Sequence, residues 1–135
     1  MLPIPLDIKK ESDRLRVLVD QYHNSATDDD PTGLFSSKIN ESCESLNIYV
    51  SKTTQKYLNE GKMVGLLGGD HSVPLGFLRT LSERHDNFGI LQVDAHADLR
   101  KSYEGFTYSH GSVMFNALKI SIGKEAGAGW DQGLL

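Results

Sequence analysis

The apolar residues of this chain alternate between helical spacing and short continuous runs. In ESDRLRVLVDQYH, Leu15, Val19 and Tyr22 sit at helical spacing and predict a short helix over 11–23. In ESLNIYVSKTTQKYLNEGK, Leu46, Tyr49, Val50, Tyr57 and Leu58 roughly share one face. That pattern predicts an amphipathic helix over 44–62, with Gly61 just past its end. Between the two, NSATDDDPTG reads as a loop by its Asn, Asp, Pro and Gly content, and its acidic run as a solvated turn. MVGLLG (63–68) is a short continuous apolar run, the form of a strand covered on both faces, and NFGILQV (87–93) reads as the next strand. VPLGFLRTLSERH lies between them. There Ser72 suits a helix cap, Pro74 the first turn, and Leu75, Leu78 and Leu81 recur every three residues. The last patterned stretch is a loop followed by a short helix from about Ser112.

Helix, strand, helix, strand in this order predicts a parallel, right-handed βαβ unit and an α/β fold. The expected organisation is one domain over 1–135. Residues 1–43 form a weakly patterned start, 44–120 a βαβ core, and the Gly-rich 121–135 a disordered tail. In open α/β sheets, ligands bind outside the carboxyl ends of the strands. Both apolar runs end there in chemistry-bearing residues: GGDHS after the first and DAHADLR after the second.

Composition narrows the function without assigning it. Of the 135 residues 39% are apolar and 24% charged, ordinary for a soluble globular protein. A net charge of -4 gives no general electrostatic case for nucleic acid. No run is apolar enough to span a membrane, and the N-terminus lacks the pattern of a secretory signal. The single cysteine, Cys43, allows no internal disulfide framework and reads as a small buried apolar group. A cytoplasmic location is expected. Asn40-Glu41-Ser42 matches a glycosylation acceptor by chance in that setting.

In an extended chain alternate side chains point the same way, so Asp94, His96 and Asp98 would face one pocket if the strand continued past Val93. Carboxylates and imidazoles without thiolates favour Mn(II), with Fe, Co, Ni or Zn as substitutes. With His71 from the neighbouring strand there are more ligands than one ion needs, which points to a binuclear centre. The reason for such a centre is a nucleophile at neutral pH, since a divalent ion lowers the pKa of its water by several units. Gly68-Gly69 lacks both phosphate-loop and dinucleotide spacing and reads as a tight turn bringing His71 inward. Asp70 reads as an outer hydrogen-bond acceptor. His110, on the loop after the second motif, is the natural proton carrier. Tyr103, Phe106 and Tyr108 read equally as pocket lining or as loop packing. His23 and His85 belong to no motif.

GGDHS, DAHADLR and SHGSVMFNAL together resemble three successive motifs of the ureohydrolase (arginase/agmatinase) family, over about Met63 to Leu118. SHGSVM resembles agmatinases more than arginases, because YEGFTYSHG contains no Asn to meet an amino acid's carboxylate and amine. The resemblance implies a three-layer α/β/α sandwich with a mainly parallel sheet. It implies hydrolysis of a guanidinium C–N bond releasing urea, agmatine giving putrescine and urea. It implies two Mn(II) ions, one held by His71 and Asp98, the other by His96, with Asp94 bridging, and His110 passing a proton to the departing amine. It also implies a homo-oligomer for the full-length member. The family's second motif, S-x-D-x-D-x-x-D-P, has no counterpart here. The resemblance therefore implies a fragment carrying part of the centre, incomplete for catalysis. Arginase or formimidoylglutamase activity, a non-catalytic metal-binding fragment, and a deacetylase-like enzyme are the competing expectations. No substrate-binding residue is assigned.

Overall fold

The computed structural model describes residues 2–24 and 33–122. Four α-helices carry it: α1 (Leu6–Asn24), α2 (Leu34–Asn59), α3 (Pro74–Arg84) and α4 (Val113–Ile122), the last entered through a 3₁₀ turn at His110–Ser112. α3 packs between α2 and α4, and α1 leans more lightly on α2. The expected loop at 24–33 and the expected tail fall mostly outside the described residues.

α2 begins ten residues before the expected start. The added turns carry Ser36, Ser37, Asn40 and Ser42, which hide the apolar stripe. Yet Ile39 is 5% exposed and Phe35 stacks on Tyr22 of α1 at 4.4 Å. The end falls as the spacing predicts. Gly61 takes φ 72° and lets the Gly61 and Lys62 N–H groups bond the Leu58 and Tyr57 carbonyls. In α3, Pro74 does open the helix. Ser72 does not cap it: its N–H and hydroxyl both turn back to Asp70 Oδ1, at 2.8 and 2.5 Å.

The core is small: Ile39 and Val50 from α2, Leu75 and Leu78 from α3, Val113 and Ala117 from α4. Each fully buried Val, Leu or Ile side chain of this set stabilises by about 1.5–3 kcal/mol. Polar groups share this interior, and each finds a partner. Thr80, fully buried, donates to the Ser51 carbonyl at 3.0 Å, and Asn116 donates to the Thr107 and Ser112 carbonyls at 2.8 and 2.9 Å. α2 and α3 approach closely at Gly76, where a methyl would overlap the Asn47 carbonyl and lie 2.9 Å from Val50 Cβ.

The expected strands at 63–68 and 87–93 are not formed. No strand occurs among the described residues, and the βαβ unit is present as order without pairing. Met63, Leu67, Leu91 and Val93 are 83–99% exposed. The physical reason lies in the parallel ladder. It is the weaker one per residue, and its strands need cover on both faces and further neighbours. A lone two-stranded pair against one helix supplies neither. The three-layer sandwich that the resemblance implies is not present among the described residues. No described helix is long and apolar enough to cross a membrane.

Candidate metal centre

Three side chains converge at the carboxyl ends of the two apolar runs. His71 Nδ1 lies 2.5 Å from Asp98 Oδ2 and 3.2 Å from Asp94 Oδ2. One ligand atom from each of the three falls within 4.8 Å of the others, close enough to share a cation. One imidazole nitrogen and two carboxylates form the mixed, thiolate-free donor set suited to ions of intermediate hardness. The Asp98 side chain is 8% exposed, while those of His71 and Asp94 are about 30% exposed, so the pocket is walled on the Asp98 side and open on the other.

The local chain explains the convergence. Gly68 packs against Val73, whose Cβ would lie 2.9 Å from a methyl at that position. The Asp70 carboxylate then closes a turn onto Ser72. Together they aim His71 across at the second motif. Asp70 thus is a hydrogen-bond acceptor, but for its own turn rather than for His71. On the other side, Asp98 adopts φ 51°, the left-handed region that costs a non-glycine residue about 1 kcal/mol or more. Helix α4 maintains it: the Met114 and Phe115 N–H groups, free donors of the first helical turn, both bond the Asp98 carbonyl at 3.1 and 3.2 Å. The Arg100 N–H adds a bond to the Gly111 carbonyl at 3.1 Å.

This corrects the expected mechanism of convergence. Asp94 and Asp98 meet because residues 94–96 bend and Asp98 turns left-handed, not because an extended strand alternates. The same bend carries His96 out. Its side chain is 83% exposed and its Nδ1 lies 3.7 Å from Asp94 Oδ1, outside the cluster of three. What His96 supplies here is its backbone N–H, which donates to Asp94 Oδ1 at 2.9 Å. That bond chiefly holds the Asp94 carboxyl below the usual carboxylate range, with the charges of His71 and His96 adding to it. Gln92 Nε2 fixes the bend by donating to the His96 carbonyl at 2.9 Å. Neither Gln92 nor the α4 donors carry a sequence signal, since their role depends on where the chain turns.

His110 opens the 3₁₀ turn and is exposed, with its ring edge-on to Tyr103 at 5.2 Å. Phe106 packs against Phe35 at 6.2 Å. Tyr108 lines an open groove of about 690 Å³ with Ser36, Asn40, Glu41 and Glu44, and lies under the Arg79 guanidinium at 5.8 Å. Arg79 in turn donates to Glu44 at 2.6 Å, which holds the Glu44 carboxyl low. Cys43 is half-buried, and burial first, then the Asp70 charge, pushes its thiol up.

Comparison with known proteins joins these features. N(1)-aminopropylagmatine ureohydrolase from Thermus thermophilus is 43% identical over 63 residues, which are 47% of this chain and 22% of that protein. An agmatinase from Halalkalibacterium halodurans is 36% identical over 84 residues, 62% of this chain and 27% of that one. An arginase from Bacillus subtilis is 32% identical over 77 residues, 57% and 25% of the two chains. The matched region thus spans about a quarter of each relative or less. No solved structure matches significantly. The Arginase family profile matches residues 5–127, extending on both sides of the motif-bearing stretch, and with nearly the whole sequence under that profile the chain belongs to the arginase family.

Proposed function

We propose that this chain carries the first half of a divalent-metal centre for hydrolysing a guanidinium C–N bond, with release of urea. The observation that carries the proposal is the convergence of His71, Asp94 and Asp98. The names of its relatives support the reaction class: agmatinase, N(1)-aminopropylagmatine ureohydrolase, guanidinobutyrase and arginase. Agmatine, giving putrescine and urea, is the proposed substrate, because the YEGFTYSHG loop has no Asn for an amino-acid head group. Arginine and formimidoylglutamate are the alternatives.

In this reading His71, Asp94 and Asp98 would hold divalent ions, Mn(II) by the donor chemistry, and two in the complete site with His96 as a further ligand. Such ions would supply a strongly acidified water and charge stabilisation. The chain's own residues do the rest. Asp94, whose carboxyl is held below the usual range, and Asp98, anchored through its backbone to α4, would offset the charge of the bound cations. His110 stands on a locked loop and carries a proton between solvent and the departing amine nitrogen. Residues 63–68 and 87–93 are proposed as strands of the family's parallel sheet, with their neighbours supplied by sequence that these residues do not contain. The full-length protein is proposed to be a cytoplasmic homo-oligomer.

The test is urea release with Mn(II) from agmatine, arginine, formimidoylglutamate and 4-guanidinobutyrate, measured on this chain and on a chain extended to the relatives' length. Urea from agmatine above the others, on the extended chain, is expected. An extended chain that binds metal yet releases no urea from any of them would overturn the reaction assignment.

A further inference from the structure

The loop that carries His110 is built more rigidly than an exposed histidine requires, and the rigidity centres on Tyr103. The Tyr103 N–H donates to the Phe106 carbonyl at 3.1 Å, and the Phe106 N–H returns a bond to the Tyr103 carbonyl at 2.9 Å. The chain reverses between them through Glu104 at φ 51° and Gly105 at φ 80°. Two successive positive φ values are those of a tight hairpin turn, which fixes the entry of the Tyr103 side chain. One side of its ring carries the Arg100 guanidinium, 5.1 Å from the centroid. His110 meets the ring at 5.2 Å with an interplanar angle of 62°. A methyl on Gly111 would lie 3.8 Å from Tyr103 Cβ, Tyr103 Cδ2 and Arg100 Cδ, so these three residues form one packed wall.

The backbone of His110 is equally pinned. The Ser109 N–H donates to Ser112 Oγ at 3.0 Å, the Ser112 N–H donates to the Ser109 carbonyl at 3.2 Å, and the Ser112 hydroxyl donates to the Thr107 carbonyl at 2.6 Å. Only the side-chain torsions of His110 are left free by this frame. Among the described residues, Tyr103 is the group the imidazole leans on.

We propose that Tyr103 is a positioning residue for His110. Its aromatic ring, backed by Arg100, restricts the exposed imidazole to one rotamer, so that the proton carrier is aimed before substrate arrives. The proposal rests on the reading of His110 as a proton carrier, and it adds the residue that orients it. An unrestrained histidine would occupy several staggered wells. An edge-to-face contact with the Tyr103 ring favours the well that makes it over the wells that do not.

The experiment is solution NMR of the 135-residue chain, with His110 assigned by His110→Asn. Wild type is expected to show one set of Hα–Hβ couplings of a single rotamer, and cross-relaxation between the His110 and Tyr103 rings. Tyr103→Leu should average the couplings, and Tyr103→Phe should restore them, because the ring and not the hydroxyl does the holding. Averaged couplings in wild type would overturn the proposal, whether or not the variants fold. Couplings unchanged in a folded Tyr103→Leu would do so as well. Turnover on the extended chain separates the two readings. If His110→Asn leaves kcat intact, the proton role fails while the couplings still decide the contact. If His110→Asn is impaired, Tyr103→Leu should lose roughly tenfold in kcat with KM nearly unchanged, a fraction of the 10²–10⁴ that a positioned acid contributes, and Tyr103→Phe should recover it.

Discussion

Gly76→Ala places one methyl at the closest approach of α2 and α3. The added carbon would overlap the Asn47 backbone carbonyl and press on Val50 Cβ at 2.9 Å. A backbone oxygen inside a helix cannot rotate away, so the two helices must separate or α3 must shift along its axis. Overpacking of this kind costs about 1–3 kcal/mol. Alanine's better helix propensity offsets up to about 1 kcal/mol of that in a helix interior. The overlap is with rigid backbone, so the upper part of the range applies and a net loss of about 1–2 kcal/mol is expected. With a urea m-value of about 1–1.5 kcal/mol/M for a chain of this size, the midpoint should fall by roughly 1 M. Equilibrium urea unfolding followed by circular dichroism measures this directly. The consequence reaches the candidate metal centre, because α3 begins three residues after His71. A midpoint unchanged or raised in Gly76→Ala would refute the close-packed α2–α3 contact.

Three further outcomes follow from individual contacts. Thr80→Val keeps the volume but deletes the donor to the Ser51 carbonyl at 3.0 Å, and should cost about 1–2 kcal/mol in the same melt; a neutral result would place Thr80 outside the core. Glu11 links α1 to α2 through Ser42 at 2.7 Å and is held to a pKa of about 2, first by its bond to Arg14 and then by Ser42. A depressed carboxyl stabilises above its unfolded value and loses that contribution as pH falls from about 4.5 to about 2. The excess acid sensitivity of wild type over Glu11→Gln in that window should therefore be measurable, but below about 1 kcal/mol for so exposed a pair; identical acid profiles would remove the Glu11 contact from the account. Asp98→Gly relieves the left-handed backbone but deletes the carboxylate beside His71, so thermal stability should hold within about 1 kcal/mol while Mn(II) affinity falls at least roughly tenfold. A large loss of stability would mean that the carboxylate, not the α4 donors, holds the loop.

Much of the candidate site was legible in the sequence because the residues that could hold a cation travel in compact motifs. His71, Asp94 and Asp98 announce themselves by residue type and by their place after apolar runs. The α3 start at Pro74 and the α2 end at Gly61 were legible for local reasons, a fixed φ in one case and a positive φ in the other. What was not legible depends on contacts far along the chain. The early start of α2 follows from Ile39 and Phe35 finding partners in other elements. The left-handed turn at Asp98 depends on α4 donors sixteen and seventeen residues later. The failure of the two apolar runs to pair has the same root, since a parallel ladder is a property of a whole sheet and not of the segments within it.

Electron paramagnetic resonance of Mn(II) titrated into the 135-residue chain tests the central claim most directly, because the six-line signal of the free ion disappears on binding. Loss of that signal in wild type, with affinity weakened at least roughly tenfold in both Asp94→Ala and His71→Ala, is the predicted result. A wild-type chain that leaves the free-ion signal untouched, or variants that bind as tightly as wild type, would contradict it.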